Sequence, residues 1–163
     1  MGGPGSHERA GSVRRDTGPS ADLPARRCYA FGMLARIIAY VWASPNTALG
    51  LLFAPVAFAS GGTVRLVTGV VEIEGRAIAW ALEHLVPLST GAEALTLGHV
   101  VLGRSVESLD LTRPHERVHV RQYERWGPLF IPAYFGSSLV AMLRGQDPYM
   151  ANRFEREAYG AEE

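Results

Sequence analysis

Between Arg36 and Arg65 the chain carries no charged side chain, and this gap constrains the fold more than any other feature. The run from Ile37 to Val64 exceeds the roughly 20 apolar residues that cross the hydrocarbon core of a bilayer. Ser44-Pro45-Asn46-Thr47 interrupts it, and Pro55 interrupts it again. Proline inside a helix removes a backbone hydrogen bond and kinks the helix. Two short apolar helices meeting at Pro45-Asn46 are therefore expected, as a membrane hairpin or monotopic anchor. A single kinked span, a signal sequence with Ala57-Phe58-Ala59 as its small-x-small cleavage site, and a buried soluble helix pair are the competing arrangements.

At 163 residues with 47% hydrophobic side chains, the chain is long enough for one domain with a real core. Its 16 basic residues, all of them Arg, balance 16 acidic ones, which gives no support to a nucleic-acid partner recognised through a broad basic field. A lone Cys28 forms neither an internal disulfide nor a cysteine zinc site. Residues 1–28 have no apolar periodicity and read as a disordered tail, with Met33 as an alternative start. Residues 29–62 form the apolar segment and 63–163 the domain that carries the chemistry. Within that domain, Thr63–Glu74 alternates about Thr68-Gly69 and predicts a short hairpin. Arg76–Val86 suits a helix that buries Ile78, Leu82 and Leu85 and stops at Pro87, and Leu95–Leu102 reads as a strand broken between Gly98 and Gly103. The expected class is α+β, with a short antiparallel sheet.

The chemistry lies in His115-Glu116-Arg117-Val118-His119, an HExxH pattern. Residues four apart share one helical face, so both imidazoles can reach one cation, and Glu116 sits where it can take a proton from water. Thr112 as N-cap, Pro114 in the first turn and Gly127-Pro128 as the stop delimit the helix. His115, His119, Gln122 and Trp126 fall on one stripe, with Glu116 and Tyr123 on its flank. Arg113, Arg117, Arg121 and Arg125 fall on the other side, as a solvated face partly paired with Glu124 or as a contact for anionic lipid headgroups. Zinc needs a third protein ligand. Asp147, Glu155 and Glu157 are the downstream candidates and Glu155 is the choice. Its competing role is a capping box with Asn152.

The segment HERVHVRQYERWGPLFIPAY followed by NRFEREAY resembles small gluzincin-like metallopeptidase domains, the minigluzincins, over roughly Leu95 to Tyr159. The resemblance implies a small zincin-like fold with an HExxH helix and a C-terminal glutamate helix. It implies His115, His119 and Glu155 as zinc ligands, Glu116 as general base, and LTLGHVVL as an edge strand along which a peptide substrate pairs. The chain departs from the family at Tyr159, where gluzincins often place an Asp that holds a ligand His; a Tyr hydroxyl there could hold the imidazole instead. Tyr123, Tyr134 and Tyr149 are the candidates for stabilising a tetrahedral intermediate. His99 reads as a half-buried strand residue and His84 as a helix-surface residue.

A second charge-free run, Trp126–Leu143, has the length of a minimal span. A full crossing there would put His119 and Glu155 on opposite sides of the membrane, so this segment is expected to pack on the core or lie shallowly in the interface. The functional expectation is a membrane-associated zinc metallopeptidase acting on a peptide or protein, with membrane lipid as a second partner. A non-catalytic membrane-associated protein with a structural zinc is the alternative. Arg26, Arg27 and Arg36 favour an inside N-terminus. A single span then puts the HExxH helix outside and a hairpin keeps it inside.

Overall fold

The computed structural model describes residues 23–160 except 87, 89 and 90, with side chains from 33 onward. Most of the expected tail, and the stop at Pro87, lie outside the described residues. The architecture is α+β: six helices and one four-stranded sheet among the described residues. Helix α1 (Leu23–Leu51) runs through Pro45 in place of the break expected there. The reason is local. Proline deprives the carbonyl of Val41, four residues back, of its donor, and the Ser44 hydroxyl donates to that carbonyl at 2.7 Å instead. Asn46 caps nothing; its amide donates to the Gly127 carbonyl at 2.9 Å. The chain turns only at Leu52, and the short α2 (Phe53–Ala59) buries Ala57 in the core with Ile73, Ile78, Leu82, Val100 and Leu102.

Strands β1 (Thr63–Val67) and β2 (Val70–Glu74) form the expected hairpin, with Thr68 at φ +44° and Gly69 at φ +82°, the pair of positive φ values that a two-residue turn matching strand twist requires. Helix α3 (Arg76–His84) buries Ile78 and Leu82, but it ends before Leu85, which is 68% exposed. The strand expected to break between Gly98 and Gly103 is two strands, β3 (Ala94–Leu97) and β4 (Val100–Gly103), which fold back at Gly98-His99 and pair antiparallel. The sheet order is β1-β2-β4-β3 and the central β2–β4 pair is parallel. The sheet is thus mixed, not antiparallel, because α3 and β3 supply the crossover that parallel neighbours need.

Two glycines let α1 close on this frame. Gly98 sits at φ +64°, and a Cβ there would lie 2.3 Å from the Thr47 hydroxyl oxygen; Gly127 sits at φ +53°, where a Cβ would lie 2.4 Å from the Trp42 ring. Gly98→Ala combines a left-handed backbone with that clash and is expected to lower stability by about 2–3 kcal/mol. The thermal midpoint should fall by about 2–4 °C per kcal/mol; an unchanged midpoint would mean that α1 does not rest on this turn.

Beyond the sheet come α4 (Val106–Trp126), a 3-10 turn (Gly127–Leu129), α5 (Phe130–Leu143) and α6 (Arg153–Tyr159). Ser105 caps α4, its hydroxyl accepting from the Ser108 N–H, so the helix starts well before the expected Thr112 cap and Pro114 lies inside it. Tyr123, Phe130, Phe154 and Ala43 bind α4, α5, α6 and α1 into a second core. Among the described residues, α1 from Met33 to Trp42 and the outer face of α5 keep large apolar side chains exposed, among them Ile37, Ile38, Val41, Leu139 and Leu143. Two helical stretches, Met33–Ala59 and Val106–Leu143, are long and apolar enough to cross a membrane.

Candidate metal centre

Helix α4 turns one face to β3 and α6, and on that face His115, Glu116, His119 and Gln122 are buried. Helix α6 is set by Asn152, whose side-chain oxygen accepts from the Phe154 N–H at 2.9 Å and whose amide donates to the Tyr134 carbonyl and the Ser138 hydroxyl. Asn152 therefore caps α6, as the competing capping-box reading had it, yet Glu155 does not complete the box. Its carboxylate turns inward, Oε2 lying 3.1 Å from His115 Nε2 and Oε1 3.5 Å from His119 Nε2. The two Nε2 atoms are themselves 3.1 Å apart.

Both Nε2 atoms and the carboxylate oxygens are lone-pair carriers whenever they bear no proton, and they are buried facing one another. A cation or a shared proton must lie between them. Tetrahedral ligands at zinc–nitrogen and zinc–oxygen lengths stand about 3.3–3.5 Å apart, close to the separations seen. His115, His119 and Glu155, all buried, could hold a metal ion. The other two candidates for third ligand are engaged elsewhere: Asp147 accepts from the Tyr149 and Met150 N–H groups, and Glu157 accepts from Gln122 and Arg125.

Electrostatics agree with this convergence. Burial opposes charge on Glu155, but hydrogen bonds from His115 and His119 outweigh it and hold the carboxyl well below the usual carboxylate range. Burial also opposes charge on His119, and the bond to Glu155 and the nearby Glu116 outweigh it, raising its pKa. For Glu116, burial is the largest influence and wins, pushing the carboxyl up despite His119 and a 2.6 Å hydrogen bond from the Thr96 hydroxyl.

Gln122 was legible only as a member of the stripe. It is fully buried; its Oε1 lies 2.9 Å from His119 Nδ1, while its Nε2 donates to the Phe154 carbonyl and to Glu157. Those donor bonds fix the amide orientation, so Oε1 must accept and His119 carries a proton on Nδ1; in the neutral ring, the form that binds metal, Nε2 is then the lone-pair nitrogen. The role expected for Tyr159 thus falls elsewhere. Its ring packs edge-on to His115 and its hydroxyl meets that of Tyr149 at 3.3 Å.

The remaining candidates sort as follows. Tyr134 donates to Glu155 Oε1 at 2.6 Å, and burial with the Glu155 charge raises its pKa, so it orients the carboxylate. Tyr123 packs against Phe130 in the core. His99 is buried in the β3–β4 turn, stacked on Tyr40 with Nε2 3.1 Å from Glu124. His84 lies on the α3 surface. The arginine face is not simply solvated. Arg113 grips the buried carboxylate of Glu72 through two nitrogens and Arg117 donates to the Val67 and Thr68 carbonyls, so both tie α4 to the first hairpin. Glu124 serves His99 instead of an arginine. Helix α5, through Tyr134 and Phe130, packs on the core beside Glu155, one of the two placements expected for it. No protein-family model, no curated protein and no solved structure matches this chain, and the inward convergence of His115, His119 and Glu155 is what speaks for a metal centre.

Proposed function

We propose that this protein is a membrane-associated, zinc-dependent peptidase with a zincin-like catalytic domain. The observation that carries the reading is the meeting of His115 Nε2, His119 Nε2 and the Glu155 carboxylate, all within 4.8 Å of one another, with a buried second carboxylate, Glu116, one residue from the first imidazole. Two nitrogens and one oxygen on a rigid helix pair match zinc's preference, and a three-ligand set leaves a coordination position open. Zinc bound there supplies Lewis acidity, which polarises a carbonyl and acidifies water.

The chain's own groups do the rest. Glu116 accepts a proton from water; Thr96 holds its Oε2, and burial raises its proton affinity, which strengthens it as a general base. Gln122 and Tyr134 orient His119 and Glu155. Strand β3 is an edge strand carrying Thr96, so a peptide pairing with its free side would run beside Glu116. The exposed apolar residues of α1 and α5 suit insertion into the lipid interface, and α5, at about 21 Å, is too short to cross alone.

A structural zinc without catalysis is the second reading, favoured by one observation: His115, Glu116, His119 and Glu155 are each less than 10% exposed. The deciding experiment measures zinc per chain in protein purified without chelator, and cleavage of an unstructured peptide. Stoichiometric zinc with cleavage supports the peptidase; zinc without cleavage supports the structural reading; no zinc overturns both. Gln122→Met removes the acceptor for His119 Nδ1 and is expected to weaken zinc affinity by about 10–100-fold, read by competition with a chromophoric chelator.

A further inference from the structure

The arginines of α4, read as a solvated face or a lipid contact, are partly consumed by the hairpin, but a different set is not. Arg144, Arg153 and Arg156 line a cavity of about 480 Å³ between α5 and α6, floored by Trp126, Phe154 and Ala141. No Asp or Glu lines it, and among the described residues none of the three arginines forms an ion pair. Arg153 lies over the Trp126 and Phe154 rings at 5.6 and 5.1 Å from their centroids, which orients its guanidinium. Ser137, on the same wall, accepts from the Arg153 N–H at 3.0 Å and keeps its hydroxyl proton for another acceptor.

Three cations around one concavity repel one another in a chain whose net charge is zero. An anion relieves that repulsion, and the guanidinium fork matches phosphate oxygens two at a time. A second feature says which phosphate. Immediately before Arg144, α5 leaves Phe135, Leu139, Val140, Met142 and Leu143 exposed. An apolar helix face that ends at a cationic cavity is the arrangement of an interfacial lipid site, with chains along the helix and the headgroup at the arginines.

We propose that this cavity binds the headgroup phosphate of an anionic phospholipid, with the acyl chains lying along α5. The proposal rests on the membrane association read above and names its partner. The cavity falls within the size range of small-ligand sites, and α6 presents Glu155 to the metal centre from the same helix that offers Arg153 and Arg156, so lipid binding would hold the catalytic helix at the membrane surface.

The test is flotation of the full chain with vesicles of phosphatidylcholine alone and of phosphatidylcholine with phosphatidylglycerol. Wild type should prefer the anionic vesicles, and Arg153→Gln/Arg156→Gln should lose that preference by about thirtyfold, at roughly one headgroup attraction per arginine. The charge-matched Arg121→Gln/Arg125→Gln should lose less than threefold. Arg153→Lys/Arg156→Lys should keep part of the preference, and far-UV circular dichroism checks that each variant folds; if the Gln pair unfolds, Arg144→Gln alone carries the same comparison. Equal flotation of wild type on both vesicle types overturns the proposal while sparing membrane association. Flotation on neither overturns both. Equal loss in the two Gln pairs overturns the site, and arginine-dependent binding of inorganic phosphate without any vesicle preference reassigns the cavity to a free anion and overturns the lipid.

Discussion

Glu116→Gln should cut peptide hydrolysis by at least about 100-fold while zinc remains at one per chain. The carboxylate is not among the three converging donors; it sits beside them, 6% exposed, with Thr96 on one oxygen. Gln preserves the volume and still accepts from Thr96, but it cannot take a proton, and general-base contributions run about 10²–10⁴-fold. Glu116 carries a burial penalty that raises its pKa, so removing its charge should leave stability equal to wild type or higher. Lost activity with retained metal and an unchanged or raised thermal midpoint is the signature of a catalytic group. A structural zinc site predicts no activity to lose, and full activity in the variant would remove Glu116 from the mechanism.

The parts of this molecule legible in sequence are those with short-range logic. The HExxH spacing gave two imidazoles on one face because helical periodicity does so regardless of context, and Thr68-Gly69 gave its turn because the required positive φ values are local. Asn152 likewise caps α6. Where readings failed, a distant contact decided. Pro45 was expected to break a helix, yet Ser44 supplies the missing donor and Asn46 reaches across to Gly127. The break at Gly98 in LTLGHVVL shows in the glycine itself, but the fold-back of its two halves with Gly98 pressed under Thr47, and the parallel pairing of β4 with β2 that makes the sheet mixed, depend on distant contacts. Gln122 as the group that sets the His119 tautomer was invisible because its role depends on Phe154 and Glu157, more than thirty residues away. The arginine stripe looked uniform, but burial of Glu72 on β2 recruits Arg113 out of it.

Removing the metal should lower the thermal midpoint at pH 8, and do so much less at pH 6. At free zinc about 1,000 times its dissociation constant, binding adds about 4 kcal/mol to stability, or about 8–16 °C for a chain of this size. Metal needs His119 neutral, whereas in the metal-free protein Glu155 and Glu116 raise the pKa of that imidazole above its ordinary 6.5. A group whose folded pKa is raised gives its full stabilisation below the unfolded value and loses it as pH rises through the folded one. The metal-free site is therefore held by a protonated His119–Glu155 pair at pH 6 and loses that support as pH rises through the raised pKa of His119. Glu155 works in the same direction as a base: its depressed pKa keeps the carboxylate charged across this whole range, so it never yields its partner. The His119 proton competes with zinc more strongly at pH 6 than at pH 8, so the midpoint drop on adding chelator should be larger at pH 8. His119→Ala and Glu155→Ala should show no chelator response at either pH. A chelator effect of equal size at both would mean that metal and proton do not share this site, and that the converging donors hold something other than a cation.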